Sequence, residues 1–238
     1  MNNQQGLIAD GRQSTIEPGE LIEKSLSMLF SISQTSSGAF YHIDKNYQTL
    51  EFTLFNIAST VHDNYISRFA ELAPLNPKLH AIGDSRVLNY REVIEENSGG
   101  SLFAKEFLEY FGLCDAAELF FRLNGEVFAG ISLFRSNEPQ FYPAELDLLR
   151  RVHPFLEYTF QHIFIPHRES QRNRLEADYS LTPREIDVIY LIRSGASNKQ
   201  IVEMFNISLG TVKAHLVHIF EKVEVKSRTE LISVLFLD

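Results

Sequence analysis

The chain has 238 residues, 44% of them hydrophobic, and carries a net charge of −9 from 22 basic and 31 acidic side chains. No apolar run approaches the roughly 18 residues of a membrane span, and the polar start lacks the apolar core of a signal peptide, so we expect a cytoplasmic protein with no membrane partner. The lone Cys114 excludes an internal disulfide, and no Cys or His cluster has metal-ligand spacing, so we expect no metal and no cofactor.

The first two thirds of the chain predict a mixture of helices and strands. Apolar residues at helical spacing predict helices at 20–31, 59–72, 90–96, 102–111 and from 143 to about 169, the last bent near Pro154. Runs rich in Phe, Tyr, Thr and Leu predict strands at 38–43 and 48–56, joined by a turn at 44–46. Alternating residues at 117–134, around Asn124-Gly125, predict a β-hairpin with a type I′ turn.

This order of elements predicts an α+β domain in which helices flank an antiparallel sheet. The predicted domain, residues 1–166, resembles the GAF and PAS classes of sensor. It holds 16 of the 19 phenylalanines, which supply apolar side chains for either a packed core or a ligand pocket. Residues 167–180 are polar and are predicted to form a hinge, which is either flexible or a continuation of the long helix. Residues 181–238 are predicted to form a second, all-α domain.

The second domain is predicted to contain four short helices. Thr182, Pro183 and Glu185 have the places of N-cap, first helical residue and capping-box partner of the first helix. We expect Asn198 to cap the second helix and 206–208 to form the turn into the third. Four apolar residues of the third helix fall within about 40° of one another and are expected to face the core, namely Val212, Leu216, Ile219 and Val223.

This segment resembles the helix-turn-helix DNA-binding domain of the LuxR type, which also occurs in FixJ-like and NarL-like regulators. The positions that carry the resemblance are Leu181-Thr182-Pro183-Arg184-Glu185, Ser197-Asn198-Lys199, Ile207-Ser208, Thr211-Val212-Lys213, His215, Ile219, Lys222 and Arg228. The resemblance implies that the third helix, from Ser208 to about Glu224, enters the major groove of double-stranded DNA.

The resemblance also implies which side chains contact the DNA. Lys213, Ala214 and Val217 have the outward places from which bases are contacted; Lys213 can donate to guanine, whereas the other two offer only apolar contact to a thymine methyl group. The predicted phosphate contacts are Lys199, Thr211, Lys222 and Arg228. Ser208, at the start of the helix, and His218, on its outward face, complete the predicted set.

The distribution of charge predicts a dimer. From Arg168 onward the chain has 10 basic and 10 acidic residues, so the net charge of −9 belongs to the preceding 167 residues. Because a neutral DNA-binding domain binds weakly alone, we expect a homodimer on an inverted repeat, with recognition helices roughly 34 Å apart. In the fourth helix, 227–236, dimer contacts are predicted for Leu231, Val234 and Leu235, with packing in their own core as the alternative.

The front domain also resembles, in part, the acyl-homoserine-lactone receptors. Tyr65, Phe69 and Asn76 echo the ligand-contacting pattern of those receptors and are the predicted ligand-binding residues. The chain has no tryptophan, Phe69 lacks a hydroxyl group and Asn76 lacks a carboxylate, so a lactone is the less favoured ligand. The alternatives are another small apolar or amphipathic ligand, or no ligand.

These features indicate a sequence-specific transcription regulator that acts as a dimer, in which the front domain modulates DNA binding through a small ligand or through dimer geometry. RNA polymerase is a candidate partner. The alternative is a ligand-independent regulator whose front domain is a scaffold for protein interaction and dimerisation. The chain has neither the aspartate pattern of a phosphoacceptor receiver nor a nucleophile or phosphate-loop motif, so we expect no enzymatic activity.

Overall fold

The computed structural model of the protein describes residues 17–44, 47, 49–81, 83–96, 100–136 and 140–236, without the side chains of residues 95, 96, 100 and 101. The predicted turn at 44–46 lies largely outside the described residues. So does Leu237, at the end of the chain.

The centre of the first part is a five-stranded antiparallel sheet. Its strands are β1 (Ser37–Ile43), β2 (Thr49–Phe55), β3 (Val87–Asn89), β4 (Asp115–Leu123) and β5 (Glu126–Arg135). Their order across the sheet is β2-β1-β5-β4-β3. The predicted hairpin is confirmed as β4 and β5, and the positive φ values of Asn124 (54°) and Gly125 (87°) are those that a type I′ turn requires. The short strand β3 was not predicted, because three residues show no recognisable alternation.

Helices cover both faces of this sheet, which confirms the α+β prediction. They are α1 (Pro18–Ser33), α2 (Ser59–Asn64), α3 (Tyr90–Glu96), α4 (Gly100–Phe103) and α5 (Pro143–Thr159). The short helices α2 and α4 continue as wider π-helical turns, α2 through Tyr65–Phe69 and α4 through Ala104–Glu109. The first of these turns ends in the 3₁₀ turn Ala70–Leu72, and a separate 3₁₀ turn is formed by Pro77–His80.

The long helix extends further than the sequence predicts. Pro154 lies inside α5 and does not interrupt it; a π-helical turn at Phe160–Phe164 then leads directly into α6 (Ile165–Tyr179). Of the two alternatives for residues 167–180, the structure therefore has the helical continuation. Leu175 of α6 is buried among side chains of the last four helices. The proposed domain boundaries themselves stay a prediction.

One face of the sheet carries the larger core. Leu21, Leu26 and Leu29 of α1 pack there with Leu149 of α5, all buried. Phe40 of β1 adds a stacked contact to the long helix, with its ring centroid 5.4 Å from that of Phe160. Since burial of one such side chain is worth about 1.5–3 kcal/mol, these residues fix α1 and the long helix on the sheet.

The opposite face carries a buried polar cluster, which we call the Glu118 cluster and which consists of Tyr41, Glu118 and Ser132. The Glu118 carboxylate is 5% exposed and accepts hydrogen bonds from the Tyr41 hydroxyl (2.6 Å) and the Ser132 hydroxyl (2.7 Å). Burial raises the pKa of Glu118 to about 8, although both hydroxyl donors oppose this rise. Tyr41 reaches Glu118 across Gly130, where an added Cβ atom would collide with the Tyr41 hydroxyl oxygen and ring. The cluster therefore depends on glycine at this position.

The raised pKa of Glu118 makes stability depend on pH. Between the ordinary value of 4.5 and about 8, the folded chain holds a proton that the unfolded chain releases, so the contribution of this group to the free energy of unfolding falls as pH rises. The substitution Glu118→Gln removes this effect. We expect the stability of the variant relative to the wild type to increase by on the order of 2 kcal/mol between about pH 5.5 and about pH 8.5, measured by urea denaturation. Glu126→Gln, at an exposed position of the hairpin, is the control. An equal difference at both pH values would contradict a buried, protonated Glu118.

Candidate nucleic-acid interface

The last part of the chain is a bundle of four helices, which confirms the all-α prediction. They are α7 (Pro183–Arg193), α8 (Asn198–Phe205), α9 (Leu209–Val223) and α10 (Arg228–Phe236). Their apolar sides share one core. Val212, Leu216, Ile219 and Val223 of α9 face this core as predicted, each 9% exposed or less.

The N-termini of α7 and α8 are both fixed by capping boxes. At α7 the predicted box is confirmed: Thr182 N–H donates to the Glu185 carboxylate (2.8 Å), and Glu185 N–H donates to the Thr182 hydroxyl (3.3 Å). At α8 the prediction of Asn198 as the N-cap is wrong by one residue. Ser197 is the cap and pairs with Gln200 through two hydrogen bonds (2.6 and 3.3 Å). The side chain of Asn198 instead accepts a hydrogen bond from the guanidinium of Arg228.

The turn between α8 and α9 is tightly closed. Asn206 ends α8 in the left-handed conformation, with φ of 49°. Ser208 then caps α9, because its hydroxyl accepts from Thr211 N–H (3.0 Å) and shares a hydrogen bond with the Thr211 hydroxyl (2.8 Å). Two of the predicted DNA-contacting residues therefore also set the start and direction of α9.

The outward side of α9 is open to solvent, and we call it the groove face. It consists of Lys213, Ala214, Val217 and His218, all exposed, with Val217 at 52%. Within the described part of the chain, no hydrogen bond or ion pair occupies Lys213 or His218. The groove face thus presents one flexible cation, one imidazole and two small apolar side chains.

The basic side chains predicted to contact phosphate differ in how strongly they are bound to other groups of the protein. The Lys199 side chain is 82% exposed, and its ammonium lies 3.7 Å from the Glu203 carboxylate one turn later. Such an exposed pair is weak, worth about 0.3–0.5 kcal/mol, so Lys199 can leave it for another anion.

Lys222 and Arg228, in contrast, are bound within the bundle. The Lys222 ammonium donates to the Glu185 carboxylate (2.7 Å) and to the Ser180 carbonyl (2.9 Å). Burial alone would raise the pKa of Glu185, but Lys222 and Thr182 outweigh it and lower that pKa. Arg228 donates to the Ala196 carbonyl (2.6 Å) as well as to Asn198. A phosphate contact by either residue stays a prediction and would have to use its remaining N–H groups.

The three predicted dimer residues of α10 differ in their exposure to solvent. Leu231 and Leu235 are 0% and 4% exposed and pack in the core of their own chain, which is the alternative considered for them. Val234 is 40% exposed. Of the three, only Val234 is placed to contact a second chain without opening this core.

The three predicted ligand residues have different partners in the structure, and a ligand role for them stays a prediction. Tyr65 and Phe69 lie together in the π-helical turn, with ring centroids 5.7 and 5.3 Å from that of Phe107. Asn76 serves the local backbone instead: its amide donates to the Ala70 carbonyl (2.5 Å), and its oxygen accepts from Lys78 N–H (2.9 Å). Both polar groups of Asn76 are therefore occupied.

Sequence reasoning missed a buried acidic side chain that acts on this turn. Glu118 raises the pKa of Tyr65, after burial itself, so the carboxylate lies within electrostatic reach of the Tyr65 hydroxyl. A signal was available: alternation along β4 places Glu118 on the same face as Ala116 and Phe120, a position where an acidic residue is unusual.

The helical bundle packs on the edge strand β2 and on α2. Leu50 of β2 is 1% exposed and is buried in the core of the bundle. The neighbouring Glu51 forms an ion pair with Arg168 of α6, whose guanidinium lies 4.1 Å from the centre of the Tyr190 ring in α7. Farther along, the Gln200 amide of α8 donates to the Asp63 carboxylate of α2 (2.6 Å). The helices α7 and α8 are thus linked to the sheet domain.

A cavity of about 800 Å³ lies at this junction. It is lined by α1, β1, β2 and the long helix on one side and by the ends of α7 and α10 on the other. Tyr65, Phe69 and Asn76 are not among its lining residues. The structure therefore separates this cavity from the predicted ligand residues.

Among the described residues, no three His, Cys, Asp or Glu side chains come together as metal ligands would. Over the same residues, no helix combines the length and the apolar character that crossing a bilayer requires.

Comparison with known proteins gives the last part of the chain a family. Residues 179–235 match the family described as bacterial regulatory proteins, luxR family. A monoamine regulon transcriptional regulator of Klebsiella aerogenes is 29% identical over 213 residues, which cover 90% of this chain and 89% of that protein. The putative HTH-type transcriptional regulator YhjB of Escherichia coli K12 is 45% identical over 51 residues, 21% of this chain and 26% of that protein.

Solved structures with a similar arrangement were also found. Escherichia coli SdiA has a TM-score of 0.44 at 14% identity, over 91% of this chain and 88% of that one. The GAF domain/HD domain protein of Geobacter sulfurreducens has a TM-score of 0.45 at 13% identity, over 63% of this chain and 96% of that one.

The curated relatives are named as transcriptional regulators and not as enzymes, in agreement with the expectation from the sequence. Together with the four-helix geometry, these matches identify residues 179–235 as a helix-turn-helix DNA-binding domain of the luxR family of bacterial regulatory proteins, and the chain as a transcriptional regulator that carries it.

Proposed function

We propose that this regulator binds an inverted repeat in double-stranded DNA as a homodimer, through the groove face of α9, and that its front domain modulates this binding. The observation that carries the proposal is the groove face itself. Its exposed side chains are short or flexible, so α9 can seat in a major groove roughly 12 Å wide.

Within this proposal, Lys213 is the principal base donor. Its ammonium has no partner among the described residues, whereas Ala214 and Val217 offer apolar contact to thymine methyl groups. Ser208 and Thr211 lie at the N-terminus of α9, where backbone N–H groups favour a phosphate. His218 lies on the same face and contacts the duplex beyond Val217.

Among the predicted phosphate contacts, Lys199 has the most exposed basic side chain, held by one weak ion pair. Lys222 and Arg228 contribute in a different way: they hold α9 and α10 against the starts of α7 and α8, and they contact phosphate only with the N–H groups that remain. A single bundle then has few available cations, which supports binding as a dimer, with Val234 of α10 at the contact between the two chains.

The front domain, residues 1–166, modulates DNA binding through the hinge segment 167–180 and through its contacts with the DNA-binding domain, residues 181–238. Leu50, Arg168 and Asp63 support this part, because each joins the sheet domain to the helical bundle. A ligand that moves β2 or α2 would change the position of α8 and α9. We place the regulator in the cytoplasm, with RNA polymerase as a candidate partner.

The name of one relative favours a particular signal. The Klebsiella aerogenes protein, similar over most of this chain, is called a monoamine regulon transcriptional regulator. We therefore include a monoamine among the small ligands to which the front domain responds. In the alternative, the front domain binds no ligand and serves as a scaffold for dimerisation and protein contacts.

The experiment that tests the proposal is selection of bound sequences from a random pool of duplex DNA by the full chain. We expect an inverted repeat whose half-sites are about one helical turn apart. A selected single half-site would exclude the dimer, and no enrichment would exclude sequence-specific binding.

The two exposed lysines are expected to act differently on DNA. Lys213→Ala should cost about 1–3 kcal/mol on the selected site and reduce discrimination between sites, because it removes a base contact. Lys199→Ala should weaken all sites alike and lower the slope of log K against log salt by about 1, because it removes one phosphate contact. Titration of matched and mismatched duplexes at several salt concentrations measures both effects. If Lys213→Ala weakens all sites equally, α9 does not read bases through this residue.

Val234 is expected to determine self-association. Val234→Asp places a charge in the proposed contact between chains, whereas Thr229→Asp places the same charge at another exposed position of α10. We expect only the first variant to sediment as a monomer and to lose about tenfold or more in affinity for the inverted repeat. Dimers of equal stability for both variants would place the interface elsewhere.

A further inference from the structure

We propose that the Glu118 cluster is the polar end of a binding site for a small monoamine, in which the Glu118 carboxylate pairs with the ammonium group and aromatic side chains enclose the apolar body of the ligand. The inference rests on the ligand-controlled form of the proposed function and deepens it, since it names the site and the chemistry that recognises the ligand.

Glu118 differs from the other buried acids of the described chain. Four of the five have a basic side chain within 4 Å, and these pairs are Asp115 with Arg91, Glu145 with Arg135, Glu157 with Arg86 and Glu185 with Lys222. Glu118 has only two hydroxyl donors. Because a buried carboxylate is costly without a positive partner, Glu118 holds a proton at neutral pH, and this position is suited to a cation from outside the chain that takes the place of this proton as it is released to solvent.

The Glu118 carboxylate also has acceptor positions that no group of the described chain uses, and an ammonium group could donate to them. A carboxylate has about four acceptor positions, and Tyr41 and Ser132 use two of them. An ammonium group brings three donors and a full charge. It can therefore join or replace the Tyr41 hydroxyl at Glu118 without leaving an acceptor unpaired.

Small residues surround Glu118 on this face of the sheet. Ser132 is paired directly with Glu118 across β4 and β5, and Ala39 is paired with Ser132 across β1 and β5. Gly130 follows in the next row, where the ring of Tyr41 lies closest to it. The proposal requires this ring to rotate away from Gly130, so that a ligand can lie next to the carboxylate.

Aromatic side chains lie around this position. The Phe52 ring centroid is 5.8 Å from that of Tyr41, and Tyr65 lies within electrostatic reach of Glu118. Aromatic faces attract cations and bury apolar groups, so both parts of an amine would be accommodated. A ligand carboxylate would find no basic side chain at Glu118 and would be repelled by Glu118 once it has lost its proton to an ammonium group, which selects against amino acids and other anions.

A ligand bound at this site would affect the position of the DNA-binding domain through α2, which contacts both. Tyr65 begins the π-helical turn that directly continues α2, and Asp63 of α2 is bonded to Gln200 of α8. A ligand that moves Tyr65 thus acts on the helix that contacts the helix-turn-helix unit.

The test uses thermal unfolding of the full chain with three amine probes, namely n-hexylamine, benzylamine and 2-phenylethylamine. We expect a saturable rise in Tm with at least one of them, because a ligand that binds only the folded chain stabilises it. The neutral analogue 2-phenylethanol and the anionic analogue 3-phenylpropanoate should give no such rise.

Variants assign the effect to the cluster. Glu118→Gln keeps the shape of the side chain but cannot ionise to pair with the ammonium group, and it should weaken binding of the effective amine at least about tenfold. Glu126→Gln, on the exposed hairpin, should leave amine binding unchanged. Tyr41→Phe is the second variant, for use if Glu118→Gln unfolds: it removes one hydroxyl donor and should change the amine affinity several-fold.

Two outcomes would overturn the inference. One is the absence of a saturable shift with all three amines, and the other is an equal shift in wild type and Glu118→Gln. Binding to the selected DNA is measured on the same preparations. Intact DNA binding with no amine effect would refute the amine site alone, whereas loss of DNA binding in the wild type would refute the proposed function.

Discussion

One uninterrupted helix contributes side chains to two hydrophobic cores. From Pro143 to Tyr179, through the π-helical turn at Phe160–Phe164, it packs Leu149 and Phe160 against the sheet and Leu175 into the DNA-binding bundle. Because a helix resists bending, the two cores cannot shift independently along its length. The position of the groove face is therefore tied to the packing of the sheet.

The packing of the helical bundle on the sheet also protects an edge strand. β2 is an edge strand, and an exposed edge invites pairing with another chain. In this protein α7 packs against β2, and the side chain of Leu50 is buried in the core of the helical bundle. Contacts that protect the edge thus also hold the bundle in place, and a change in one affects the other.

Local signals made much of the fold predictable. The capping box at Thr182, the Asn124-Gly125 turn and the apolar stripe of α9 each depend on residues a few positions apart, and each was confirmed. The resemblance to a known family located the groove face. Asn198 was predicted as the N-cap of α8, but its side chain accepts a hydrogen bond from Arg228, 30 residues later, and Ser197 is the cap. A partner so distant in sequence gives no local signal.

The features that were missed depend on distant partners. The freedom of Lys222 could not be judged from sequence, since Glu185 lies 37 residues away and is acidic like many surface residues. Likewise, the lack of a basic partner for Glu118 becomes visible only when β1, β4 and β5 are assembled. Sequence patterns report which residue types lie on a face, whereas the pairing of charges requires the folded chain.

The internal bonds of Lys222 and Arg228 have a consequence for how such a regulator searches a genome. Sequence-independent affinity comes almost entirely from cations that contact phosphate, and two of the four predicted contacts are already bound within the protein. The chain would therefore spend little time on unrelated DNA. Its discrimination would rest on the base contacts of one helix, which are those of Lys213 and of the apolar Ala214 and Val217, and the apolar contacts are weakened by salt far less than phosphate contacts are.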